Sequence, residues 1–566
     1  MKGGKQSQNE RCAQICRAVA PMDGFSRRQV DGKKSKKHFE RKKTTMKRFL
    51  SITLVVCMLL ASLTFMTFAD TVPANAKFRT GEEGSYVYHE DLISALAALH
   101  GVGGTITQIA DYTHSANIHG NNTSSYGNTT VTASNIAIRY ADANKGTKPV
   151  TIKGDQKYNL IINASTTGQD VFTDFTENLT FENLHIVMNG GFRPWAHVTV
   201  TFKDCTVDAC ATISGSTVTP SGKNWGFCFD GNSTLVFDNT IYNFYGNDRV
   251  MGVNGNTTRT ASLILKNGSQ IVFPSSAKSI QVLELYQSGQ NHTVTLKMDA
   301  TSKIIANTET VSGDPSIMFE LQQATNKLIF DLAEGAEIQM NTAGDFVGTS
   351  NKGTFSGTLS GLKISAAALV AGVNLPNLTN ANTIGWEIGD KLYGNGATAT
   401  DANATADAVA TPVVYDVTTG LSMASGASVL VNNPTGIRYT ATVSDELRAA
   451  LAGATVTYGA IIAPNAKVTA ADAFTKEALG EGNYVDTATK FKWAVENKEY
   501  RVVLTNIKDT SMEFTAIPYV TVTYADGSVA TIYGAKGDVR SISGVAASAL
   551  DAAAITADEY NTIMGN

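Results

Sequence analysis

One short pattern recurs along some 250 residues in the middle of this chain, and it limits the possible folds more than any other feature of the sequence. The pattern is an apolar residue, any residue, a second apolar residue and then a polar turn residue. Its seven copies begin 21 to 35 residues apart, at Val150, Leu179, Val200, Leu235, Leu263, Val294 and Leu328. A unit of this size cannot bury its own apolar residues, so the repetition indicates a solenoid with one coil per copy.

The repeat predicts parallel strands stacked about 4.8 Å apart, with the Leu or Phe of each coil lying on its counterpart in the next coil. Asn and Asp follow several copies, and these residues tolerate left-handed backbone and form hydrogen-bonded ladders in such stacks. The structural alternative is an antiparallel sandwich, which predicts hairpin signals such as Asn-Gly about every 8 to 12 residues. Such signals are sparse here, so we expect an all-β chain built on a parallel β-helix.

A short amphipathic helix is predicted just before the first coil. Residues 91–99 carry apolar side chains at helical spacing, Gly101 ends the helix, and a Gly-Gly-Thr-Ile segment at residues 103–106 opens a strand. This order resembles the N-terminal cap and first coil of the pectate-lyase-like superfamily. The resemblance implies a right-handed parallel β-helix over residues 77–394, with the helix capping the strand edges at its open end.

The N-terminal region has the features of an export signal. Lys47 and Arg48 precede an apolar run over residues 49–68, and Ala74-Asn75-Ala76 then offers the small-x-small pattern of a cleavage site. We therefore expect a signal peptide at residues 46–76, cleaved after Ala76. The alternative is a single membrane anchor, but serines and threonines dilute the apolar run.

Residues 1–45 show no apolar periodicity and precede a second methionine, Met46. We interpret them as a disordered upstream extension that an early start codon adds to the chain. The alternative is a cytoplasmic basic tail, because residues 33–43 form a run of positive charge that resembles a nucleic-acid patch.

Charge is divided unevenly along the chain. Residues 1–76 hold 15 Lys and Arg against 5 Asp and Glu, and the remainder holds 31 basic against 45 acidic residues. A mature protein this acidic is repelled by nucleic acid and by anionic membranes. We therefore expect no nucleic-acid partner and a neutral glycan or Ca²⁺ as the more suitable ligand. Cleavage after Ala76 would remove the apolar run, so we expect no transmembrane segment in the mature protein.

Three cysteines, Cys205, Cys210 and Cys228, follow the predicted cleavage site, and an odd number cannot be fully paired. Their neighbours are apolar, which predicts buried, inert thiols. No histidine joins them at zinc spacing, so no metal ligands are predicted.

The β-helix pattern fades after Ile364, and the Ala/Thr/Asp-rich residues 395–412 are predicted to be a linker. A smaller, mainly β, sandwich-like domain is expected over residues 413–566. Its predicted elements are a helix that begins after Ser444, a hairpin turn at residues 525–527, and strands at residues 436–443, 456–464, 500–504 and 519–524.

Four segments of this domain follow a recognisable order: Gly-Ile-Arg-Tyr at 436–439, Tyr-Gly-Ala-Ile-Ile-Ala-Pro at 458–464, Tyr-Ala-Asp-Gly at 524–527 and Val-Arg-Ser-Ile at 539–542. In this it resembles a C-terminal module of secreted and cell-surface proteins of anaerobic Gram-positive bacteria. The resemblance implies a surface location and an accessory role. Arg438 is interpreted either as a ligand contact or as the partner of a structural carboxylate.

The first functional hypothesis is a polysaccharide lyase or glycoside hydrolase. The resemblance implies clustered acidic residues for Ca²⁺ and an Arg base, and residues 192–197 are similar to the Arg-plus-Pro environment of the lyases but lack a second Arg at the expected distance. The paired Asp and Gly-His-Gly of polygalacturonase-type hydrolases do not occur. The candidate catalytic residues are Arg193, His197, Asp204, Asp208, Asp230, Asp248 and Arg249, each with the alternative of a turn residue or a solvated charge.

The second hypothesis is non-catalytic, adhesin-like binding of carbohydrate or another surface, and it is the one we favour. Aromatic rings bury a large area when they contact sugars, and the candidates are Trp195, Trp225, Tyr242 and Tyr245, although both tryptophans could instead cap the core. The third is a structural surface-layer spacer, since a solenoid is rigid. We expect a polysaccharide or cell-surface glycan as partner of a secreted or surface-bound protein, with Ca²⁺ as the sole candidate ion.

Overall fold

The structure, a computed structural model, describes residues 71–99, 102–115, 118–119, 148–163, 170–173, 178–193, 198–229, 231–253, 257–286, 291–308, 316–348, 352–380, 382–468 and 474–565. The chain divides into a unit at Met1–Thr71 and a unit at Val72–Asn566, and the fold given below is that of the second unit. The basic tail and the apolar run of the predicted signal peptide lie outside the described residues, as do Trp195, His197 and Asp230.

Three long sheets form the framework of the described chain before residue 415. In spatial order, the strands of the first sheet are Val87–His89, Phe78–Thr80, Gly104–Gln108, Val150–Lys153, Leu179–Glu182, Thr199–Lys203, Thr234–Asp238, Thr260–Lys266, Thr293–Met298, Lys327–Leu332 and Thr354–Thr358. Those of the second are Lys391–Gly394, Thr383–Ile388, Ala408–Val414, Leu362–Ile364, Glu337–Met340, Lys303–Ala306, Gln270–Phe273, Ile241–Phe244, Thr206–Ala209, His185–Met188, Asn159–Ile162 and Tyr112–His114. Those of the third are Asp345–Val347, Ile317–Leu321, Gln281–Leu285, Arg249–Val253, Phe227–Phe229, Gly191–Arg193, Asp170–Thr173 and Ile118–His119.

From Gly104 to Ile364 all strand pairs within these sheets are parallel, and we call this region the parallel stack. The chain visits the first, second and third sheets in turn, and each visit to a sheet pairs with the previous one. All seven copies of the sequence pattern lie in the first sheet. Parallel stacking is therefore confirmed for this region, and an antiparallel sandwich is excluded.

The core of the parallel stack consists of side chains that lie on their counterparts in the next strand. Phe181, Phe202 and Phe237 are register partners in the first sheet and are buried. The ring centroids of Phe181 and Phe202 are 4.9 Å apart with an interplanar angle of 8°, and those of Phe202 and Phe237 are 5.8 Å apart. Alternate residues of these strands point outward and are half-buried, as the two-residue period of a strand requires.

The turns between the first and second sheets carry the predicted Asn and Asp ladder. Asn183, Asp204, Asn239 and Asn267 have φ between 49° and 58°, which is the left-handed region that Asn and Asp tolerate. Asn239 Nδ2 donates a hydrogen bond of 2.7 Å to Asp204 Oδ1, one coil away. Asp204 is thus a structural turn residue, as its alternative interpretation proposed.

The helix Leu92–Leu99 is found where the sequence predicts it, and it buries Leu92, Ala95, Leu96 and Leu99 against the first strands. Asp91 Oδ1 accepts a 2.7 Å hydrogen bond from Ser94 N and so caps the first turn. Gly104–Gln108 follows as the first strand of the stack.

The predicted linker at residues 395–412 is wrong. Thr398–Ala399 pairs with Val373–Asn374, and Ala408–Val414 lies antiparallel between Leu362–Ile364 and Thr383–Ile388. Ala399 and Ala410 are fully buried. A run of small residues is typical of flexible linkers, whereas here the small side chains let the chain pack closely over the end of the stack.

The C-terminal part contains two antiparallel sheets that share one core. The first has the strands Leu421–Met423, Ser428–Leu430, Asn433–Val443, Glu499–Leu504 and Lys492–Val495, and the second has Val485–Asp486, Thr455–Pro464, Phe514–Thr523 and Val529–Tyr533. Tyr500 Oη donates a 2.7 Å hydrogen bond to Gly459 O and so links the two sheets. The four predicted strands and the turn at residues 525–527 are confirmed.

Further short elements complete the described chain. Ser444 caps the predicted helix, since its Oγ accepts from Leu447 N at 3.0 Å. The remaining elements are the hairpin Ala211–Ser214 with Thr217–Pro220, the helices Ala366–Ala371, Val417–Gly420, Asp445–Ala450, Lys476–Leu479, Ile542–Asp551 and Ala557–Met564, and the 3₁₀ turn Asn465–Lys467. None of the helices in the described ranges has the length and apolar character needed to cross a bilayer.

Candidate functional site

The outer faces of the first and second sheets carry alternating charges. Glu182 lies between Lys153 and Lys203 on the first sheet, at 3.6 and 3.4 Å. On the second sheet, hydrogen bonds from Lys363 and Lys303 lower the pKa of Glu337 to about 2. Exposed pairs of this kind contribute little to stability or recognition, so they are assigned to the solvated surface.

The third sheet has a different outer face, because charged side chains there are buried. We call this group the Arg249 cluster, and it comprises Asp248, Arg249, Gln281, Glu284, Glu320 and Gln322. Arg249 is 8% exposed, Glu284 5% and Glu320 6%. Charged residues that are this buried require partners, and the cluster supplies them.

Arg249 lies at the centre of the cluster. Its Nη1 is 2.5 Å from both Asp248 Oδ2 and Glu284 Oε2, so one guanidinium joins two carboxylates. The side chain folds over Gly252, where an added Cβ would lie 2.5 Å from Arg249 Nε. A side chain at this position would therefore force the Arg249 side chain to shift.

Two glutamates extend the cluster along the stack. Glu284 and Glu320 are register partners on neighbouring strands. Gln322 Nε2 donates to Glu284 Oε1 at 2.6 Å, and Gln281 Nε2 donates to Glu320 Oε2 at 2.9 Å. The two carboxylates are thus held side by side by amide donors and by Arg249.

Two aromatic rings flank the guanidinium. Arg249 Cζ lies 5.4 Å from the ring centroid of Trp225 and 5.3 Å from that of Tyr286, within the range of cation–π interactions. Both rings are half-buried. Trp225 packs on Gly191, where an added Cβ would lie 2.7 Å from the indole Cδ1.

The exposed part of the cluster is the Asp248 carboxylate, whose side chain is 28% accessible. Within the described residues, Arg249 Nε and Gln281 Oε1 are buried without a hydrogen-bond partner. They belong to register partners on adjacent strands. A donor and an acceptor left unpaired at neighbouring positions could both be satisfied by one hydroxyl group or water molecule.

A second polar group lies on the outer face of the second sheet around Asp208. His185 Nε2 is 3.1 Å from Asp208 Oδ2, and Asn243 Nδ2 donates to Asp208 Oδ1 at 2.9 Å. Burial, and secondarily the Asp208 carboxylate, raises the pKa of Tyr245 nearby. Each acceptor oxygen of Asp208 has a partner, so this group is assigned a structural role.

Tyr242 does not occupy a surface position. Its ring is fully buried and packs 4.8 Å from Phe237 in the core, so it has no face for a sugar. The predicted role of Tyr242 in binding is therefore wrong, because the alternation of the strand Ile241–Phe244 turns it inward. Tyr245 is half-buried beside Asp208.

The Tyr242 hydroxyl is buried without a hydrogen-bond partner among the described residues. We expect Tyr242→Phe to raise the free energy of unfolding by up to about 1 kcal/mol, because it removes an unpaired polar atom from the core. Thermal denaturation of the purified variant measures this. A loss of more than about 1 kcal/mol would mean that the hydroxyl has a partner.

The three cysteines behave as the sequence predicts. Cys205, Cys210 and Cys228 are all buried. Burial raises the pKa of the Cys205 thiol to about 12. A thiol in this state is a poor nucleophile, so these residues belong to the core.

The two remaining arginine candidates occupy different places. Arg193 ends the strand Gly191–Arg193, two strands from Arg249 in the third sheet. Arg438 Nε donates a 2.7 Å hydrogen bond to Ser428 Oγ, so a hydroxyl rather than a carboxylate is its partner here. The candidates that the structure brings together around Arg249 are thus Trp225 and Asp248, and Asp208 and Tyr245 lie together on the second sheet.

Five residues around Arg249 were missed: Gln281, Glu284, Tyr286, Glu320 and Gln322. A signal for two of them is present in the sequence, since Val282-Leu283-Glu284-Leu285 and Met318-Phe319-Glu320-Leu321 share one pattern. A glutamate between apolar residues of a buried strand, twice at the same place in the coil, predicts a paired polar site. In the described part of the chain, no group of three or more His, Cys, Asp or Glu side chains is arranged to hold a metal ion.

The chain matches no family model, and comparisons with curated proteins and with solved structures found no significant match.

Proposed function

We propose that this chain is a secreted or cell-surface protein that binds carbohydrate, without cleaving it, on the outer face of the third sheet. The observation that carries the proposal is the Arg249 cluster with Trp225 and Tyr286 beside it. It combines a fixed, partly exposed carboxylate with two aromatic rings, which is the chemistry that recognises a sugar ring.

Sugars present hydroxyl groups at their edges and C–H groups on their faces. A carboxylate such as Asp248 accepts hydroxyl hydrogen bonds, and an aromatic ring packs on the C–H face. Trp225 and Tyr286 lie on either side of the Asp248–Arg249 pair, so a ring that stacks on one of them brings its hydroxyls to the carboxylate. The ion pair with Arg249 keeps that carboxylate in place.

The charge of the cluster favours a neutral sugar. Asp248, Glu284 and Glu320 supply three carboxylates against one guanidinium, and the sequence after residue 76 is also acidic. An anionic uronate or a nucleic acid would be repelled by this excess. The proposed partner is therefore a neutral polysaccharide or cell-surface glycan.

The proposal also covers export of the protein and closure of the three sheets into a β-helix. The ordered visits to three parallel sheets support a right-handed β-helix like that of the pectate-lyase-like superfamily, which the N-terminal segment resembles. The first strand, Phe78–Thr80, begins just after the predicted cleavage position at Ala76, which supports a signal peptide at residues 46–76. The resemblance of the C-terminal module supports a cell-surface location.

A glycan array, followed by titration of the best ligand, tests the binding site. We expect wild-type protein to bind neutral glycans, and Trp225→Ala to weaken binding by about 1 to 3 kcal/mol, as for an aromatic hot spot. Asp248→Asn should weaken it as well, since an amide accepts fewer hydrogen bonds than a carboxylate.

Two variants serve as controls in the same titration. Tyr158→Ala removes a half-buried ring that precedes a strand of the second sheet, and Tyr242→Phe changes a ring inside the core. Both should bind as wild type does. Equal loss for Trp225→Ala and Tyr158→Ala would contradict the assigned site, and an array without any signal would favour the structural spacer.

One observation favours a second candidate function, glycoside hydrolysis. Glu284 and Glu320 lie in register on adjacent strands, which are about 4.8 Å apart, and retaining glycosidases place two carboxylates about 5 to 5.5 Å apart. Both carboxylates accept amide hydrogen bonds from glutamines and are nearly inaccessible, which makes binding the better-supported function. If wild-type protein releases reducing sugar from a glycan and Glu320→Gln does not, hydrolysis becomes the better-supported function.

A further inference from the structure

A groove of about 400 Å³ opens in the C-terminal domain, far along the chain from the Arg249 cluster. It lies where the strand Thr455–Pro464 ends and the strand Phe514–Thr523 begins. A groove of this volume is at the lower end of the range of small-molecule sites, which is about 300 to 1,000 Å³.

The floor and walls of the groove are apolar. Ile462, Ile507 and Phe514 form a buried floor, at 1%, 8% and 5% exposure. Met512, which is 44% exposed, and the half-buried ring of Tyr484 form the sides. A solvent-facing side chain as large as Met512 gains from a ligand that covers it.

The frame of the groove is fixed by backbone hydrogen bonds. Phe514 N donates to Arg540 O at 2.8 Å, and Ile507 N donates to Thr435 O at 2.9 Å. Asn465 N donates to Glu513 O at 2.9 Å and ties the 3₁₀ turn to the opposite wall. The groove is therefore preformed, which lowers the entropic cost of filling it.

Two lysines stand at the rim. Lys467 and Lys508 line the groove and are exposed, and neither makes an ion pair with an acidic side chain of the described residues. Asp509 is also at the rim, but its Oδ1 accepts from the N–H and hydroxyl of Ser511. The rim thus presents two unpaired positive charges against one engaged carboxylate.

From this combination we infer that the groove binds a small amphiphilic carboxylate of the fatty-acid class. The alkyl chain lies on Ile462, Ile507 and Phe514 under Met512, and the carboxylate meets Lys467 and Lys508. Charge complementarity selects an anionic head group, and the apolar floor selects an alkyl body. The inference is independent of carbohydrate binding at the third sheet.

Isothermal titration of the full chain with decanoate, below its micellar concentration, tests the inference. We expect saturable binding of one decanoate, and about tenfold weaker binding of octanoate, because each methylene removed from water favours binding. Decanol, which has the same chain and no charge, should bind about tenfold more weakly than decanoate.

Variants separate the two parts of the site. The double variant Lys467→Ala/Lys508→Ala should weaken decanoate about tenfold and leave decanol unchanged. Met512→Asn, at an exposed position, should weaken both ligands, because it removes the apolar side chain that covers the alkyl chain. Lys490→Ala, an exposed lysine outside the groove, should bind both ligands as wild type does.

Absence of decanoate binding at millimolar concentration would overturn the inference. So would equal affinity for decanoate and decanol, or an unchanged affinity in Met512→Asn. Circular dichroism and thermal denaturation of the same preparations show whether each variant is folded.

Discussion

Phe202→Ala is expected to lower the free energy of unfolding of the parallel stack by about 3 to 5 kcal/mol. Phe202 is fully buried and stacks on Phe181 at 4.9 Å and on Phe237 at 5.8 Å. Its edge also meets Phe227 of the third sheet, at 6.0 Å. Alanine would leave a cavity bounded by three rings that neighbouring coils hold in place, so the site cannot collapse to fill it.

Thr201→Ala is the matched control, because Thr201 is half-buried on the outer face of the same strand. We expect it to change stability by less than about 1 kcal/mol. Urea denaturation followed by circular dichroism gives both values, and hydrogen exchange shows whether the loss is local to the neighbouring coils, as nearest-neighbour coupling predicts. Equal losses for the two variants would contradict the inward assignment of Phe202.

Arg249→Met is expected to destabilise the protein by about 3 to 5 kcal/mol, because removal of one partner leaves buried charge uncompensated. Asp248 and Glu284 each lie 2.5 Å from the guanidinium that would be lost, and Glu320 lies beside Glu284 on the next strand. The methionine side chain fills most of the vacated volume, so the expected loss of stability comes from uncompensated charge and not from a cavity.

A second substitution distinguishes these causes. If uncompensated charge is responsible, Arg249→Met/Glu284→Gln should recover at least about 1 kcal/mol of the loss, because the buried carboxylate is replaced by a neutral amide. Denaturation of the two single variants and the double variant completes the cycle. A double variant that is less stable than Arg249→Met would show that Glu284 has a different stabilising partner.

The repeat in the sequence was sufficient to predict the first sheet, because its strands alternate between buried and half-buried residues. The strands of the third sheet were not predicted, since residues such as those of Gln281–Leu285 are buried on both faces and show no alternation. In one place the strand register differs from the alignment of the repeat copies. Leu263 and Val294 begin successive copies, but Leu263 pairs with Leu296. A shift of two residues keeps the same face inward, so the apolar pattern does not reveal it.

The candidate site could be predicted only in part for a related reason. Asp248 and Arg249 are adjacent in the sequence, whereas Glu284 and Glu320 reach them through the stacking of later coils. Which outer face a side chain occupies depends on the exact turn lengths between sheets. Tyr242 is an example: its ring is expected at the surface from the sequence, but it lies in the core.

The reversal of chain direction after the parallel stack has a consequence for self-association. The last parallel strand, Leu362–Ile364, is covered by the antiparallel strand Ala408–Val414. The outermost strand of that sheet, Lys391–Gly394, exchanges backbone hydrogen bonds with Gly453 and Ala525 of the C-terminal domain. The C-terminal part thus acts as a stopper of strand addition: a molecule cut before residue 408 would leave the edge of Leu362–Ile364 uncovered, as a template for a strand of a second copy.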